Sequence, residues 1–295
     1  MTPHDDAVLF EQARPNLLGL AYRILGSHAD AEDAVQDTFL KWRDADHAAI
    51  ENPGAWLTTA CTRRCLDLLR SAHKTRVSYV GTWLPEPILT TADGDFEDAS
   101  TLASSMSTAF LLMLERLTPK ERAAYLLHEI FDVDYSEIAR TLEIQEAACR
   151  KLVSRARDNI QQSQVRSVVP MRRQEQLLAA FEQAVATGSA GPFANMLSED
   201  IRLSADGGGK VAALGEVLEG KALVLDFITD KLHLWWPNYR KVPATINGNL
   251  GLLLQQEGAT VGVVSFSHDA EGRMTGIYVM RNPDKLARLD ETVIH

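Results

Sequence analysis

"LTPKERAAYLLHEIFDVDYSEIARTLEIQEAACRKLVSRAR", residues 117–157, is the stretch that decides the fold of its part of the chain. Its Thr118-Pro119 step predicts the start of a helix, because proline is favoured at the first helical position. Residues 135–144 predict a short second helix with its apolar side chains on one face. A short turn then leads into a third helix that is rich in Arg and Lys. The pattern favours a DNA-binding helix-turn-helix over two ordinary packed helices.

Two further helices are predicted nearer the N-terminus. Residues 8–46 carry apolar side chains at helical spacing, and Gly26 ends the first of the two helices. The second helix includes "DAEDAVQDTFLKW" at 30–42, whose polar face carries Asp33, Gln36, Asp37 and Lys41. An acidic face of this kind either meets a basic partner surface or is simply solvated.

Two basic patches stand out from an acidic chain. They are residues 63–76, in a helix that begins after Asn52-Pro53, and residues 150–157. The net charge of the 295 residues is −10, which makes the chain a poor binder of nucleic acid by itself. Binding to DNA therefore requires these local patches or a larger partner that supplies the affinity.

Composition excludes several classes of protein. No apolar run reaches the 18 or so residues of a membrane span, and the N-terminal stretch is acidic where a signal peptide is basic. We therefore expect a cytoplasmic protein without a membrane partner. The three cysteines do not form a disulfide framework. Cys61 and Cys65 are expected to be buried apolar residues, because a zinc site needs two more ligands and only His73 is near.

The composition changes at residues 77–104, which read as an acidic linker with prolines and glycines. Trp83 and Leu84 are too apolar for a linker that is only solvated, and they are expected to dock onto another part of the protein. We expect four segments in all: residues 1–76, the linker 77–104, residues 105–165, and a further domain at 171–295.

The C-terminal segment predicts an α+β domain. A helix at 173–189 and another at 221–236 come first, and alternating apolar runs between 241 and 281 follow them. Helices followed by several antiparallel strands indicate one curved sheet.

Three glycines in "DGGGK", residues 206–210, need a reason, since each costs backbone entropy. A phosphate loop is a weak explanation, because Lys210 is followed by Val211 and the first glycine of that motif is missing. The alternatives are a sharp bend or a surface that another backbone approaches closely.

The first 165 residues resemble the extracytoplasmic-function (ECF) sigma factors of bacterial RNA polymerase. Residues 30–42 are similar to the core-binding region of sigma domain 2, and residues 52–70 to the region that melts and reads the −10 element. Residues 117–157 are similar to sigma domain 4, whose helix-turn-helix reads the −35 element. The motifs "WLPEP" (83–87), "DGGGK" (206–210) and "NPDKL" (282–286) are similar to those of the subgroup with a fused SnoaL-like C-terminal domain.

The resemblance implies two all-α sigma domains followed by a SnoaL/NTF2-like α+β domain with a curved sheet. It also implies the partners, core RNA polymerase and promoter DNA.

The residues expected to bind core polymerase are Asp30, Asp33, Gln36, Asp37 and Lys41. Those expected at the −10 element are Asn52, Trp56, Arg63, Arg64 and Arg70, although a tryptophan such as Trp56 is as often a core residue. Those expected at the −35 element are Gln145, Arg150, Lys151, Ser154, Arg155 and Arg157. Arg150 is expected to read a base, and Arg155 and Arg157 to contact phosphates.

In the resembling subgroup the fused domain contacts the linker and modulates activity in cis, so that no separate anti-sigma factor is required. The expected contact residues are Trp83, Leu84, Pro85, Asp206, Gly207, Gly208, Gly209, Lys210, Asn282, Pro283, Asp284, Lys285 and Leu286. Lys210 and Asp206 are expected to pair with Asp284 and Lys285. No catalytic residue, metal or cofactor is expected. The rivals are a C-terminal domain with cyclase- or isomerase-type activity, using Asp206 with His233 or His268, and a domain that only binds a small-molecule ligand.

Overall fold

The computed structural model describes residues 3–77, 79–90, 105–161 and 169–289. The chain divides into two compact units, each built from two separate stretches. The helical unit comprises Met1–Val77 and Met113–Ser163, and the sheet unit comprises Ser78–Leu112 and Gln164–His295. The stretch between the two parts of the helical unit thus belongs to the sheet unit. No helix in the described ranges is both long and apolar enough to cross a membrane.

The N-terminal part of the helical unit has three long helices and one 3₁₀ turn: α1 (Pro3–Leu25), α2 (His28–Arg43), the turn His47–Ala49 and α3 (Pro53–Val77). Gly26 follows α1 in the left-handed conformation, with φ +67°. Ser27 then caps α2, because its side chain accepts a hydrogen bond from the Asp30 amide. Cys61 and Cys65 are fully buried among these helices.

The second part of the helical unit contains the predicted helix-turn-helix. Its helices, together with the helix that leads into it, are α4 (Thr108–Leu114), α5 (Pro119–Glu129), α6 (Tyr135–Leu142) and α7 (Glu146–Gln161). Thr118 and Glu121 form a reciprocal capping box at the start of α5. Glu143 adopts the left-handed conformation, with φ +53°, and ends α6. Cys149 and Val153 form part of the buried face of α7.

The C-terminal stretch of the sheet unit has six strands and several short helices. In chain order these are α8 (Met171–Thr187), a 3₁₀ segment (Gly191–Met196), β1 (Leu197–Asp206), β2 (Leu218–Glu219), α9 (Lys221–Asp226), a π-helical segment (Phe227–Leu232), α10 (His233–Trp235), β3 (Arg240–Ile246), β4 (Asn249–Gln256), β5 (Ala259–His268), β6 (Met274–Met280) and α11 (Pro283–Leu286). The strand order is β2-β1-β6-β5-β4-β3. Only the β1–β6 pair is parallel among these neighbours.

Both faces of this sheet are buried. Leu252 and Leu254 of β4 face a core that includes Phe181 of α8. Leu253, between them, points to the opposite face and packs in a second cluster with Leu84. Side chains alternate between the faces of a strand, so two different partners cover the sheet. The partner on the second face includes the segment 79–90, part of the predicted linker.

The predicted order of all-α parts followed by an α+β domain with one sheet is confirmed. Two details were wrong. Residues 197–206 form a ten-residue strand that was not predicted, because their acidic residues obscure the apolar alternation. The single helix predicted at 221–236 is interrupted by a π-helical segment. Residues 91–104 of the predicted linker lie outside the described residues.

Candidate nucleic-acid interface and linker site

The acidic face of α2 is partly occupied by a contact within the helical unit. Asp33, Gln36 and Lys41 are exposed, and Asp30 is half-buried. The Asp37 carboxylate pairs with Arg64 Nε of α3 at 2.6 Å. The sequence assigned Asp37 and Arg64 to two different partners, polymerase and DNA. In this structure they are each other's partner, and the two surfaces are therefore continuous.

The start of α3 borders a cleft of about 720 Å³. Asn52 Oδ1 accepts a hydrogen bond from the Ala55 amide at 3.1 Å, so that Asn52 caps the helix. Trp56 is half-buried, and its ring centroid lies 5.5 Å from that of Trp42. Asn52, Trp56 and Arg63 all line the cleft. Trp56 therefore both packs on the core and faces an open space.

Arg63 does not lie free on the surface of α3. Its Nε donates to the Thr141 carbonyl and its Nη2 to the Arg140 carbonyl, both at 3.0 Å. Nη2 also lies 3.1 Å from the Glu143 carboxylate. These acceptors are at the C-terminal end of α6, where the helix dipole favours a cation. Arg63 therefore has partners within the helical unit, and its contact with DNA stays a prediction. Arg70 pairs with Asp67 of its own helix.

A second arginine links the same two parts of the helical unit, but here the donor belongs to the second part and the acceptor to the N-terminal part. Arg122 of α5 donates from Nη1 to the Ile24 carbonyl, at the end of α1, at 2.6 Å. The same nitrogen lies 2.6 Å from Glu115. Thr59 and Thr141 share a hydrogen bond of 2.9 Å nearby. These contacts could not be predicted from the sequence, because their main acceptors are backbone carbonyls at helix ends.

The outward face of α7 carries most of the residues predicted for the −35 element. Exposed there are Gln145, Arg150, Lys151, Ser154 and Arg155. Arg157 is half-buried, and its Nη2 donates to Glu129 at 2.5 Å. This hydrogen bond raises the pKa of Arg157 above its ordinary value. Five of the six residues thus lie on solvent, and the sixth is tied to α5.

Asp206, at the end of β1, is the most enclosed of the predicted site residues. Its side chain is 0% exposed and accepts four hydrogen bonds. The donors are Tyr79 Oη at 2.6 Å, the Leu84 amide at 2.9 Å, the Gly208 amide at 2.9 Å and Lys285 Nζ at 2.8 Å. Two of the four donors belong to the segment 79–90. Burial and the Asp206 carboxylate raise the pKa of Tyr79, which keeps this phenol protonated as a donor.

Lys285 ties the tail motif to the same segment. Its Nζ also donates to the Leu84 carbonyl at 2.6 Å and lies 4.4 Å from the centroid of the Trp83 ring. Asn282 Nδ2 donates to Tyr79 Oη at 2.8 Å. Both predicted ion pairs are present, since Lys210 Nζ lies 2.6 Å from the Asp284 carboxylate. Leu84 is buried at 2% exposure, and Pro85 and Leu286 are buried as well.

The glycines of residues 206–210 form the turn after β1. Gly208 has φ +62°, and a Cβ built there would lie 2.4 Å from Asn282 Nδ2. A Cβ on Gly207 would lie 2.4 Å from the Val211 carbonyl oxygen. At Gly209, with φ +70°, it would lie 3.0 Å from Val80. Close approach by the 79–90 segment and by Asn282, rather than phosphate binding, accounts for this motif.

The 79–90 segment also extends the sheet at its β3 edge. Leu89 forms an isolated antiparallel bridge with Ile246. The Thr90 amide donates to the Thr245 carbonyl, and the Asn247 amide donates to the Ile88 carbonyl, both at 2.9 Å. Backbone pairing of this kind is the strand-addition mode of peptide recognition. Sequence reasoning missed it, although the acidic residues following Thr90 do mark where the apolar part ends.

The returning chain makes a second attachment to the sheet. Thr108 Oγ1 and Ser265 Oγ lie 3.0 Å apart in a buried hydrogen bond. Leu112 packs against the same apolar cluster as Leu84. Residues 105–112, predicted to belong to the second sigma domain, thus lie with the sheet unit.

The two histidines of the enzymatic alternative have other surroundings. His233 Nδ1 is 2.9 Å from the Val185 carbonyl. His268 is buried, and burial lowers its pKa to about 4, so that it is neutral at pH 7. Neither is among the four partners of the Asp206 carboxylate.

Comparison with known proteins gives a consistent result along the chain. Sigma-70 region 2 matches residues 9–75, and Sigma-70, region 4 matches residues 107–160. The chain is 34% identical over 286 residues to the ECF RNA polymerase sigma factor SigJ of Mycobacterium tuberculosis, covering 94% of this chain and 91% of that protein. It is 30% identical over 294 residues to the probable ECF RNA polymerase sigma factor SigI of the same species, covering 97% of each. The crystal structure of M. tuberculosis SigJ matches with a TM-score of 0.76 and 30% identity, over 95% of this chain and 98% of that one.

Proposed function

The chain belongs to the ECF sigma factors of bacterial RNA polymerase, and we propose that its SnoaL-like sheet unit regulates it in cis by holding the linker between the two sigma domains. Sigma factors bind core RNA polymerase and promoter DNA and direct promoter-specific initiation. The proposal concerns how this member is controlled without a separate anti-sigma factor.

The buried carboxylate of Asp206 is the observation that carries the proposal. It binds one end of the linker, through Tyr79 and Leu84, and one end of the tail, through Lys285. Removing one partner from a buried ion pair costs about 3–5 kcal/mol, because the other charge is left without compensation. Because losing either partner is costly, the pair ties the linker and the tail to the sheet unit.

The linker matters because of the distance between the two promoter elements. The −10 and −35 elements lie a set distance apart on the DNA, and each base pair between them adds about 3.4 Å along the helix axis. In the helical unit the two DNA-reading parts touch, through Arg63 and Arg122. They must part before both elements are read. We propose that this conformation is the unbound state and that promoter binding separates Arg63 from the end of α6.

Separation depends on how much chain is released from the sheet. Residues 91–104 alone would reach about 50 Å when fully extended, at 3.3–3.6 Å per residue. The whole stretch Ser78–Leu112 would reach about 120 Å on the same basis. Release of the 79–90 segment, or of the Thr108 attachment, therefore changes the reach by tens of ångströms. This supports control through the linker rather than through either DNA-reading surface.

The proposed roles of the surface residues follow their exposure. Asp33, Gln36 and Lys41, with Asp30 and Asp37, form the proposed polymerase-binding face of α2. The proposed −10 surface is the cleft at Asn52, Trp56 and Arg63, with Arg64 and Arg70 beside it. On α7, Arg150 is the proposed base reader, and Arg155 and Arg157 the proposed phosphate contacts.

A small-molecule ligand of the sheet unit is the second candidate function. A groove of about 320 Å³ is lined by Val211, Arg281, Pro283 and Leu286. It borders both the glycine turn and the tail motif, so a ligand there would act on the linker contact. We propose no reaction at Asp206, because its carboxylate is enclosed by structural partners.

The experiment compares two lysines of the linker site. Lys285→Gln removes the buried pair with Asp206, whereas Lys210→Gln removes only the exposed pair with Asp284. We expect reporter transcription from a target promoter, normalised to protein level, to rise several-fold for K285Q and to stay unchanged for K210Q. Hydrogen exchange at the Leu84 amide should accelerate in K285Q alone. Equal output from wild type and K285Q, with the Leu84 amide deprotected, would refute regulation through the linker.

A further inference from the structure

We infer that Tyr135 is a positioning residue for −35 recognition, because its ring holds the Arg150 guanidinium in the orientation used to read a base. The inference rests on the proposed base contact of Arg150 and names the residue that prepares it. Tyr135 is the first residue of α6, whereas Arg150 is on α7, so the contact links the two helices of the helix-turn-helix.

The guanidinium lies over the Tyr135 ring at cation–π distance. Arg150 Cζ lies 4.3 Å from the centroid of the Tyr135 ring. A guanidinium stacks readily on an aromatic face, and its N–H donors lie in its own plane. A stacked guanidinium therefore has those donors directed sideways, as a bidentate contact with guanine O6 and N7 requires. The side chain of Arg150 is 57% exposed, so burial does not supply this order.

Tyr135 also packs against a second ring. The His128 ring centroid lies 4.0 Å from that of Tyr135, with 34° between the planes. His128 Nδ1 is 3.1 Å from the Val133 carbonyl, which fixes the histidine. Tyr135 thus contacts both His128, on α5, and Arg150, on α7. The half-buried histidine helps to hold the ring that lies against the flexible arginine.

Glu146 completes the arrangement on α7. Its carboxylate accepts from Arg150 Nη2 at 2.6 Å, one turn earlier on the same helix. The hydroxyl of Tyr135 also contributes to the raised pKa of Arg157, after the larger effect of Glu129. One tyrosine is therefore near both the proposed base reader and a proposed phosphate contact.

The test uses full-length variants assembled with core polymerase and a promoter library randomised over the −35 element. Bound DNA is sequenced to give the base preference at each position. Arg150→Ala should abolish the preference at one position. Tyr135→Leu should weaken the preference at that same position by about two- to five-fold, the range of an exposed cation–π contact. Tyr135→Phe keeps the ring and should keep the preference. Ser136→Ala, at an exposed neighbour, is the control.

Each other result has a definite meaning. If R150A changes no single position, the proposed base contact is wrong, and the inference falls with it. If R150A acts at one position and Y135L does not, only the inference is overturned. Loss at all positions in Y135L, or equal losses in Y135L and Y135F, also overturns it. Tyr135→Met replaces Y135L if the leucine variant does not fold, since methionine fills similar space without a ring.

Discussion

The Lys285–Asp206 and Arg150–Glu146 pairs have similar lengths, 2.8 and 2.6 Å, but opposite surroundings. Asp206 is 0% and Lys285 13% exposed, whereas both members of the other pair are about half exposed. An exposed ion pair contributes about 0–1 kcal/mol and exchanges easily for another partner. A buried pair is strongly destabilised when one member is lost. The protein thus uses one pair to fix a conformation, whereas the other can exchange its partner, as the proposed contact of Arg150 with DNA requires.

The largest effect is expected for Asp206→Ala. The substitution leaves the Lys285 ammonium buried and removes the acceptor of Tyr79 and of the Leu84 amide. We expect the sheet unit to lose about 3–5 kcal/mol of unfolding free energy. Urea titration followed by tryptophan fluorescence measures this loss. Asp284→Ala, which breaks the exposed pair, is the control, and equal losses in the two variants would contradict the contrast.

A smaller effect is expected for Gly208→Ala, which tests close approach at the glycine turn. A Cβ there meets Asn282 at 2.4 Å and also places alanine at φ +62°. Gly81→Ala is the matched control, because its φ is +84° but no atom lies within 4 Å of the added Cβ. We expect Gly81→Ala to cost about 1–2 kcal/mol from the left-handed backbone alone. Gly208→Ala should cost about 1–3 kcal/mol more, from overpacking. If thermal unfolding gave the same loss for both, the contact with Asn282 would not be the reason for the glycine.

The proposed polymerase-binding face of α2 contains one exposed acid and one paired acid. Asp33 is exposed, whereas Asp37 is paired with Arg64. Asp33→Lys should weaken the affinity for core polymerase by about 1 kcal/mol and leave the stability of the protein unchanged. The loss should come mainly from a slower association rate, and it should be larger at low salt. Surface plasmon resonance at two salt concentrations measures this. Glu175→Lys, at an exposed position of α8, serves as the charge-matched control, and an equal effect of both reversals would exclude a specific role of the α2 face.

The smallest effect is expected for Lys210→Ala. The side chains of Lys210 and Asp284 are 54% and 64% exposed. Removing this pair should therefore change the unfolding free energy by less than about 1 kcal/mol. The same urea titration measures it, alongside Asp206→Ala. A loss as large as that of Asp206→Ala would show that exposure does not separate the two pairs.

The local signals of the sequence were sufficient wherever a contact lies within a few residues. Thr118 and Glu121 stand three residues apart, and the capping box between them follows from one turn of helix. Gly26 ends α1, and Ser27 caps α2, for the same local reason. The pairs of Asp206 with Lys285 and of Lys210 with Asp284 were expected from the resemblance and are present.

Long-range contacts with backbone atoms could not be predicted from the sequence. Arg63 and Arg122 donate to carbonyls at the ends of distant helices, and every residue has a carbonyl, so no residue type marks the acceptor. The bridge between Leu89 and Ile246 also joins backbone groups that are distant in the sequence, so no residue type marks it. The strand 197–206 also depends on its parallel partner β6, since its own pattern is too irregular to predict it.

The sequence by itself determined the order of the domains, the helix-turn-helix and the residue types at each proposed surface, because apolar periodicity and capping are local. The tertiary structure alone decided which charged side chains remain open to an outside partner and which are buried or paired within the protein. It buries Asp206 under the linker, pairs Arg63 with the end of α6 and places Arg150 over the Tyr135 ring. The physical reason is that the energy of a charge depends on its burial and its partners, which are fixed only when distant parts of the chain meet.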